Sequence, residues 1–328
     1  MSEPSPLRAG VAGVGYLGQH HARIYAELPG VTLAGIYDTN PARAAEIAAK
    51  YPGCQVFDSV DALGKACEVV SVVVPTNHHC ATALPLLAAG CHLLIEKPLC
   101  ASLEDAEKIV TAAKAAGRLV QVGHIEHFNP VMDFLEKNVS KPRFIRTERL
   151  APLVPDPSEN DRDNATEGHV NPRVKEVDVV LDLMIHDIGL VLKLVGAPVK
   201  RIDAAGSSVL TPHMDIANAR LVFEDGCVAD LNVSRLSKKR AREWRLFQRA
   251  GYMSVDFDQC AGHYVHLTPA GLKREEIVVA KAEPLKRELA AFVEAVRTGQ
   301  PPKIDVEFGL AALAVALTVT AQIKAAGL

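Results

Sequence analysis

Ala9-Gly10-Val11-Ala12-Gly13-Val14-Gly15-Tyr16-Leu17-Gly18 is the stretch whose reading decides the fold. An apolar run from Ala9 to Val14 meets Gly13, Gly15 and Gly18 in G-x-G-x-x-G spacing. A helical segment, Tyr16 to Leu28, follows, and a second apolar run, Val31 to Tyr37, ends on Asp38. The order is strand, glycine turn, helix, strand, acid. In such a unit the first glycine permits a tight turn and the second lets backbone approach a pyrophosphate. The third permits close helix–strand packing, and the helix N-terminus offers N–H groups to phosphate. With the three glycines, Tyr16 and Leu17 are expected to contact the cofactor. A carboxylate at Asp38 can accept from both ribose hydroxyls of an adenosine. It would repel a 2′-phosphate, so NAD is expected rather than NADP, a preference that Arg43 nearby softens.

Working outward, the pattern repeats. Pro41 opens a helix, Val69 to Val74 is a buried parallel strand, and Pro75-Thr76-Asn77-His78-His79 follows it. Strand His92–Ile95 runs into Glu96-Lys97-Pro98. Helix Leu103–Ala116 is entered through Ser102 and left at Gly117, and strand Leu119–Val122 ends at Gly123-His124. Alternating strands and helices mean a doubly wound parallel sheet of the Rossmann type, whose ligands collect at the carboxyl ends of the strands. Pro75, Thr76, Asn77, His79, Glu96, Lys97 and His124 fall there and are expected to line the cofactor. His79 has a second reading as a cap of the following helix.

After residue 123 the pattern changes. Asn129-Pro130 starts a short helix, Phe144–Leu150 reads as a strand, and the proline-rich acidic stretch 151–172 reads as a long loop. Asp178 to Val195 is helical, with Asp182 and His186 spaced i,i+4 on one face. Later strands alternate, with Asp225-Gly226 and Ala250-Gly251 as turns, and two helices, Leu285–Arg297 and Val306–Ala326, finish the chain. The expected fold is α/β, in two domains. Residues 1–123 form an NAD(P)-binding Rossmann domain, and 124–328 form an α+β domain with a large, mainly antiparallel open sheet for substrate and oligomerisation.

With 328 residues, 48% apolar and 23% charged, the chain is large enough for two cores; its net charge of −3 argues against a nucleic-acid partner. The run Lys238 to Arg242 lacks interleaved aromatics and reads as a solvated hairpin end. Seven scattered cysteines without a C-x-x-C pair suit a reducing cytoplasm and offer no metal site. The N-terminus lacks a signal-like region, and Leu310 to Ile323 is too short to span a bilayer, so no membrane insertion is expected.

Between the expected domains, Lys97 can shuttle a proton to an alcohol if desolvation and the positive nicotinamide lower its pKa. His186 can hydrogen-bond the same hydroxyl while Asp182 positions imidazole or substrate. All of this requires the amine of Lys97 and the imidazole of His186 to share one cleft.

The glycine motif, Pro75-Thr76…His79, Gly90-Cys91-His92…Glu96-Lys97-Pro98 and Asp182…His186 together resemble the Gfo/Idh/MocA oxidoreductase family, over essentially the whole chain. The resemblance implies hydride transfer between NAD(P) and a sugar or cyclitol hydroxyl, with Lys97, Asp182 and His186 catalytic, in a homodimer or homotetramer. Val122 to Pro130 and Leu181 to Asp187 are similar to the branch that oxidises the 3-hydroxyl of UDP-N-acetylglucosamine for lipid A synthesis. Two features depart from that branch: His127 stands where it usually has arginine, and 154–172 is longer and more acidic. A nucleotide-sugar diphosphate needs cations, for which Arg146, Arg149 and Arg173 are the candidates; Lys97, His124, Asp182 and His186 complete the expected substrate contacts. The rival readings are a free polyol or inositol dehydrogenase and, from another class, a non-catalytic NAD-sensing protein.

Overall fold

The structure is a computed structural model and describes residues 5–153 and 177–327. Most of the acidic stretch 151–172, and Arg173, lie outside the described residues. The chain's contacts divide it into two units, Met1–Phe128 with Glu283–Leu313, and Asn129–Ala282 with Ala314–Leu328. A division by simple succession at residue 123 therefore differs from what is seen, because a C-terminal segment returns to the first unit.

The first unit holds β1 (Leu7–Ala12), α1 (Gly18–Glu27), β2 (Val31–Tyr37), α2 (Pro41–Ala48), β3 (Gln55–Val56), α3 (Val60–Ala66), β4 (Val69–Val72), α4 (His79–Ala88), β5 (His92–Glu96), α5 (Leu103–Ala116) and β6 (Val120–Gly123). Its strands form a six-stranded parallel sheet in the order β3-β2-β1-β4-β5-β6. The order reverses between β1 and β4, which places a switch point beside the glycine turn. Local chemistry sets the helix ends. Asn40 caps α2 ahead of Pro41, Ser102 caps α5, and α5 stops at Gly117 in the left-handed region, φ 61°. Ala9, Val11, Val14, Ala22, Ile24 and Ile36 are fully buried between the sheet and its helices.

In the second unit, α6 (Pro130–Asn138) leads to β7 (Phe144–Leu150). After the undescribed segment come a π turn (Val180–Met184), α7 (Ile185–Val195) and β8 (Val199–Ser207), β9 (Ile216–Phe223), β10 (Val228–Ser234), β11 (Ala241–Gln248), β12 (Gly251–Asp256), β13 (Ala261–Thr268) and β14 (Gly271–Val278). The eight-stranded sheet runs β14-β13-β12-β11-β7-β10-β9-β8, antiparallel except where β7 meets β10. That exception corrects one expectation. Lys238 to Arg242 is not a hairpin end: its first three residues lie in the connection that carries the chain from β10 across to the far side of β7 and its last two start β11, and Arg240 and Arg242 lie 3.3 and 3.4 Å from the Asp258 carboxylate.

The chain ends with α8 (Pro284–Thr298) in the first unit and α9 (Val306–Ala325). By length and apolarity α9 could cross a membrane, with mean hydropathy 1.8, yet Leu313, Ala316, Val319 and Ile323 are fully buried in the fold. It is a core helix.

Arg149, expected among the phosphate-binding cations, is instead built into the core of the second unit. Strand alternation turns Ile145, Thr147 and Arg149 inward together, and Arg149 is 3% exposed. Its Nε donates to Asp187 Oδ2 at 3.1 Å and its Nη2 to Oδ1 at 2.9 Å, while Trp244 Nε1 donates to Oδ1 at 3.1 Å. Arg149→Met should cost about 3–5 kcal/mol by stranding the Asp187 charge in apolar surroundings. Chemical denaturation reads this directly; an unchanged unfolding midpoint would show that the pair carries no stability.

Candidate active site

The glycine turn is shaped to receive a phosphate. Gly13 adopts φ 86°, and a Cβ there would lie 2.6 Å from the Val73 carbonyl oxygen. A Cβ on Gly18 would lie 1.9 Å from the Gly13 oxygen, so backbone and helix touch, whereas nothing lies within 4 Å of a Cβ on Gly15. Two glycines are needed for packing and the middle one leaves space. No side chain caps α1 and no acid occupies its first turn, so its positive dipole end meets no counter-charge there and can face an anion. Tyr16 is 49% exposed beside this space, with Leu17 half-buried. These residues fit a dinucleotide pyrophosphate.

Asp38, at the end of β2, uses its carboxylate to hold the turn. Oδ2 accepts from Val14 N–H and Oδ1 from Asn40 N–H, both at 2.8 Å. Arg43 is tied down as well. Its Nε donates to the Val14 carbonyl at 3.0 Å, Nη1 to Glu46 at 2.8 Å and Nη2 to Gln19 at 3.1 Å. At the end of β4, Pro75 and Asn77 are exposed and Thr76 half-buried in a single 3-10 turn.

His79 behaves differently from a cofactor contact. It is 1% exposed, with Nδ1 3.0 Å from the Pro98 carbonyl and 3.2 Å from that of Leu99, and Nε2 2.9 Å from that of Val74. Both nitrogens are engaged with backbone, so His79 ties the end of β4 to the segment after Lys97. That corrects the expectation that it touches ligand or caps α4. Burial lowers its pKa, against the pull of those carbonyls.

Lys97 follows β5, 6% exposed, and its bond to Pro98 is cis. Beside it Glu96 Oε2 accepts the Lys97 N–H at 3.3 Å, and Oε1 lies 3.2 Å from His21 Nε2. The chain of contacts continues from His21 Nδ1 to Ser71 Oγ at 3.0 Å and from Tyr25 Oη to Ser71 Oγ at 2.9 Å. At the end of β6, His124 is 1% exposed, and neither ring nitrogen has a hydrogen-bond partner among the described residues. Burial, with the charge of Lys97 added, pushes its pKa down to about 4. His127 is fully buried, its ring edge-on to Phe308 at 5.3 Å.

The expected cofactor residues thus gather in the first unit at the ends of β1, β2, β4, β5 and β6, apart from the inward-turned His79. Asp182 and His186 belong to the second unit, both half-buried. They do not sit on one regular α-helix: Asp182 is in the π turn, where Ile185 N–H bonds the Val180 carbonyl five residues back, and His186 is in α7. Asp178 starts this turn, its Oδ1 accepting from Val180 and Leu181 N–H at 3.0 Å each. Single π turns inside helices concentrate at functional sites. Arg146 is exposed on the outer face of β7.

Comparison with known proteins decides the family. The model described as the oxidoreductase family with an NAD-binding Rossmann fold matches residues 7–124, and the GFO/IDH/MocA C-terminal domain matches 140–254. The chain belongs to the Gfo/Idh/MocA family. It is therefore a dehydrogenase. UDP-N-acetylglucosamine 3-dehydrogenase of Acidithiobacillus ferrooxidans is 36% identical, covering 97% of this chain and 98% of its own; a solved structure of that enzyme superposes with a TM-score of 0.88 over 98% of both chains. The scyllo-inositol 2-dehydrogenase (NAD+) of Bacillus subtilis is 24% identical over 93% of each chain.

The buried His124 makes stability depend on pH. Its folded pKa lies below its unfolded value of about 6.5. The unfolded chain therefore binds a proton first as pH falls, and stability drains between pH 6.5 and about 4, then levels. His124→Phe should flatten this segment of a stability–pH curve, a contribution of up to about 3 kcal/mol. Parallel wild-type and variant curves there would mean that His124 is not held neutral.

Proposed function

We propose that this dehydrogenase oxidises a sugar hydroxyl to a ketone with NAD, the substrate group being the 3-hydroxyl of UDP-N-acetylglucosamine. The observation that carries the reading is Lys97, a nearly buried amine at the end of β5 in the same unit as the phosphate-shaped glycine turn. Identity of 36% across 97% of the chain to an enzyme of that name supports the substrate.

In this reading NAD supplies the hydride acceptor. Lys97, as the neutral amine, accepts the proton of the reacting hydroxyl. His186 hydrogen-bonds the same oxygen, and Asp182 orients the imidazole or a neighbouring substrate hydroxyl. Asp38 serves the adenosine ribose. The ties of Arg43 to Val14, Gln19 and Glu46 favour NAD over NADP, because its guanidinium is committed elsewhere. A free polyol is the second reading, supported by the inositol dehydrogenase relative. Retention of Lys97, Asp182 and His186 together disfavours a non-catalytic sensor. The open face of the eight-stranded sheet carries Phe144, Phe247 and Tyr252, the last two 39% and 37% exposed, which supports a homodimer or homotetramer. Cysteines that form no disulfide among the described residues suit the cytoplasm.

NADH formation should appear with UDP-N-acetylglucosamine and not with myo-inositol or free hexoses. Turnover on inositol alone would move the assignment to the second reading; tight NAD binding without turnover on any sugar would favour the sensor. Lys97→Ala should lower kcat by about 10²–10⁴-fold while leaving NADH affinity near wild type, and normal turnover would refute its role. NADH should bind about tenfold or more tightly than NADPH, because a 2′-phosphate meets the Asp38 carboxylate. Calorimetric titration gives both constants, and equal affinities would remove the NAD preference.

A further inference from the structure

The unit that holds Lys97 also buries a group that the proposed reaction leaves unused. Glu288, on α8, is fully buried, and neither carboxyl oxygen has a hydrogen-bond partner among the described residues. The helix is amphipathic, and Glu288 sits on its apolar stripe with Leu285, Leu289 and Phe292, which are buried as well. Its place in the fold is defined by backbone. Gln121 of β6 donates through Nε2 to the Glu288 carbonyl at 3.3 Å, and α8 packs on β5, α1 and the turn Ile125–Phe128.

The titratable groups on those elements are few. From α1 come His20, His21 and Tyr25, with Arg23 turned outward to Glu27 and Glu283; from β5 come His92, which accepts from Leu119 N–H, and Glu96, followed by Lys97; from the turn come Glu126 and His127. Arg287, next on the helix, donates to the Phe128 carbonyl. Three carboxyls, Glu96, Glu126 and Glu288, are therefore buried on these elements, and it is the Glu96 charge that acts on Glu288; the two are not equivalent. Glu96 has donors: the Lys97 N–H, and His21, which is braced by Ser71 and Tyr25. It sits in space that Gly123 leaves open, since a Cβ on Gly123 would lie 3.0 Å from Oε1. Glu288 has burial and the Glu96 charge, both of which raise its pKa well above the carboxylate range.

We propose that Glu96 and Glu288 share one proton, carried by Glu288, so that Glu96 keeps its negative charge next to Lys97 and Glu288 is a positioning residue for it. Two ionised carboxylates in so dry a region would repel each other, and Glu96, with the donors, keeps the charge. Loss of the Glu288 proton at high pH adds a second anion next to the segment that carries Lys97. The functional half of this proposal rests on the dehydrogenase reading; the protonation half does not.

Infrared spectra of the full-length protein at neutral pH, wild type against Glu288→Gln and Glu96→Gln, test the protonation. The expected result is a protonated-carboxyl stretch in wild type that disappears in Glu288→Gln. Absence of the band, or its loss in Glu96→Gln alone, overturns the proposal even if sugar turnover is normal. Should either variant misfold, carbon-13 titration of the glutamate carboxyls in wild type replaces it: one carboxyl titrating well above the rest supports the proposal, and none doing so overturns it. The pH profile of kcat tests the positioning role. Glu288→Gln should shift the alkaline limb to higher pH at unchanged NADH affinity, and a profile superimposable on wild type leaves Glu288 purely structural. A wild type that turns over no sugar would sink the dehydrogenase reading and leave the spectroscopic result standing.

Discussion

A carboxylate shut away from water must find hydrogen-bond donors or surrender its charge. The first unit is built around one that has found them. Glu96 ends β5 with its oxygens against the Lys97 N–H and the His21 ring, in space that the missing side chain of Gly123 on the next strand leaves open. The geometry of everything nearby follows from satisfying that group. Ser71 is a hydroxyl in an otherwise apolar strand because it supports His21, and Tyr25 turns inward because it supports Ser71. Lys97, the next residue, inherits a fixed backbone on one side from Glu96. On the other side His79 binds the carbonyls of Pro98 and Leu99.

The phosphate-shaped turn and this buried cluster are products of the same sheet. Parallel strands all finish at one edge, so the residues that follow β1, β2, β4, β5 and β6 gather without any of them being close in sequence. Apolar helices on both faces keep that edge dry from beneath, which is why His124 titrates so low. A dry setting of this kind strengthens charge–charge interactions, and it suits the proton-accepting role proposed for Lys97.

Much of this was legible in the sequence, and the parts that were not have physical reasons. The glycine spacing, the strand–helix alternation and Glu96-Lys97-Pro98 were readable because each depends on local backbone geometry. Arg149 was misread as an anion binder although period-two alternation with Ile145 already turned it inward; charge was given more weight than strand face. Glu288 and His21 were missed for a related reason. Each is a polar residue on the apolar stripe of an amphipathic helix, Glu288 beside Leu289 and His21 beside Ala22, and such a residue marks a buried polar cluster. The π turn at Val180–Met184 leaves no such trace, because residues 179–185 are apolar nearly all round and the phase shift of one extra residue does not show in such a run.

The most direct measurement of the central claim is the fate of the hydrogen on the reacting carbon. UDP-N-acetylglucosamine carrying deuterium at C3 is incubated with the protein and NAD, and the dinucleotide is analysed by mass spectrometry. The account predicts NADH bearing one deuterium. NADH without deuterium, or no NADH while the sugar remains unchanged, would contradict it.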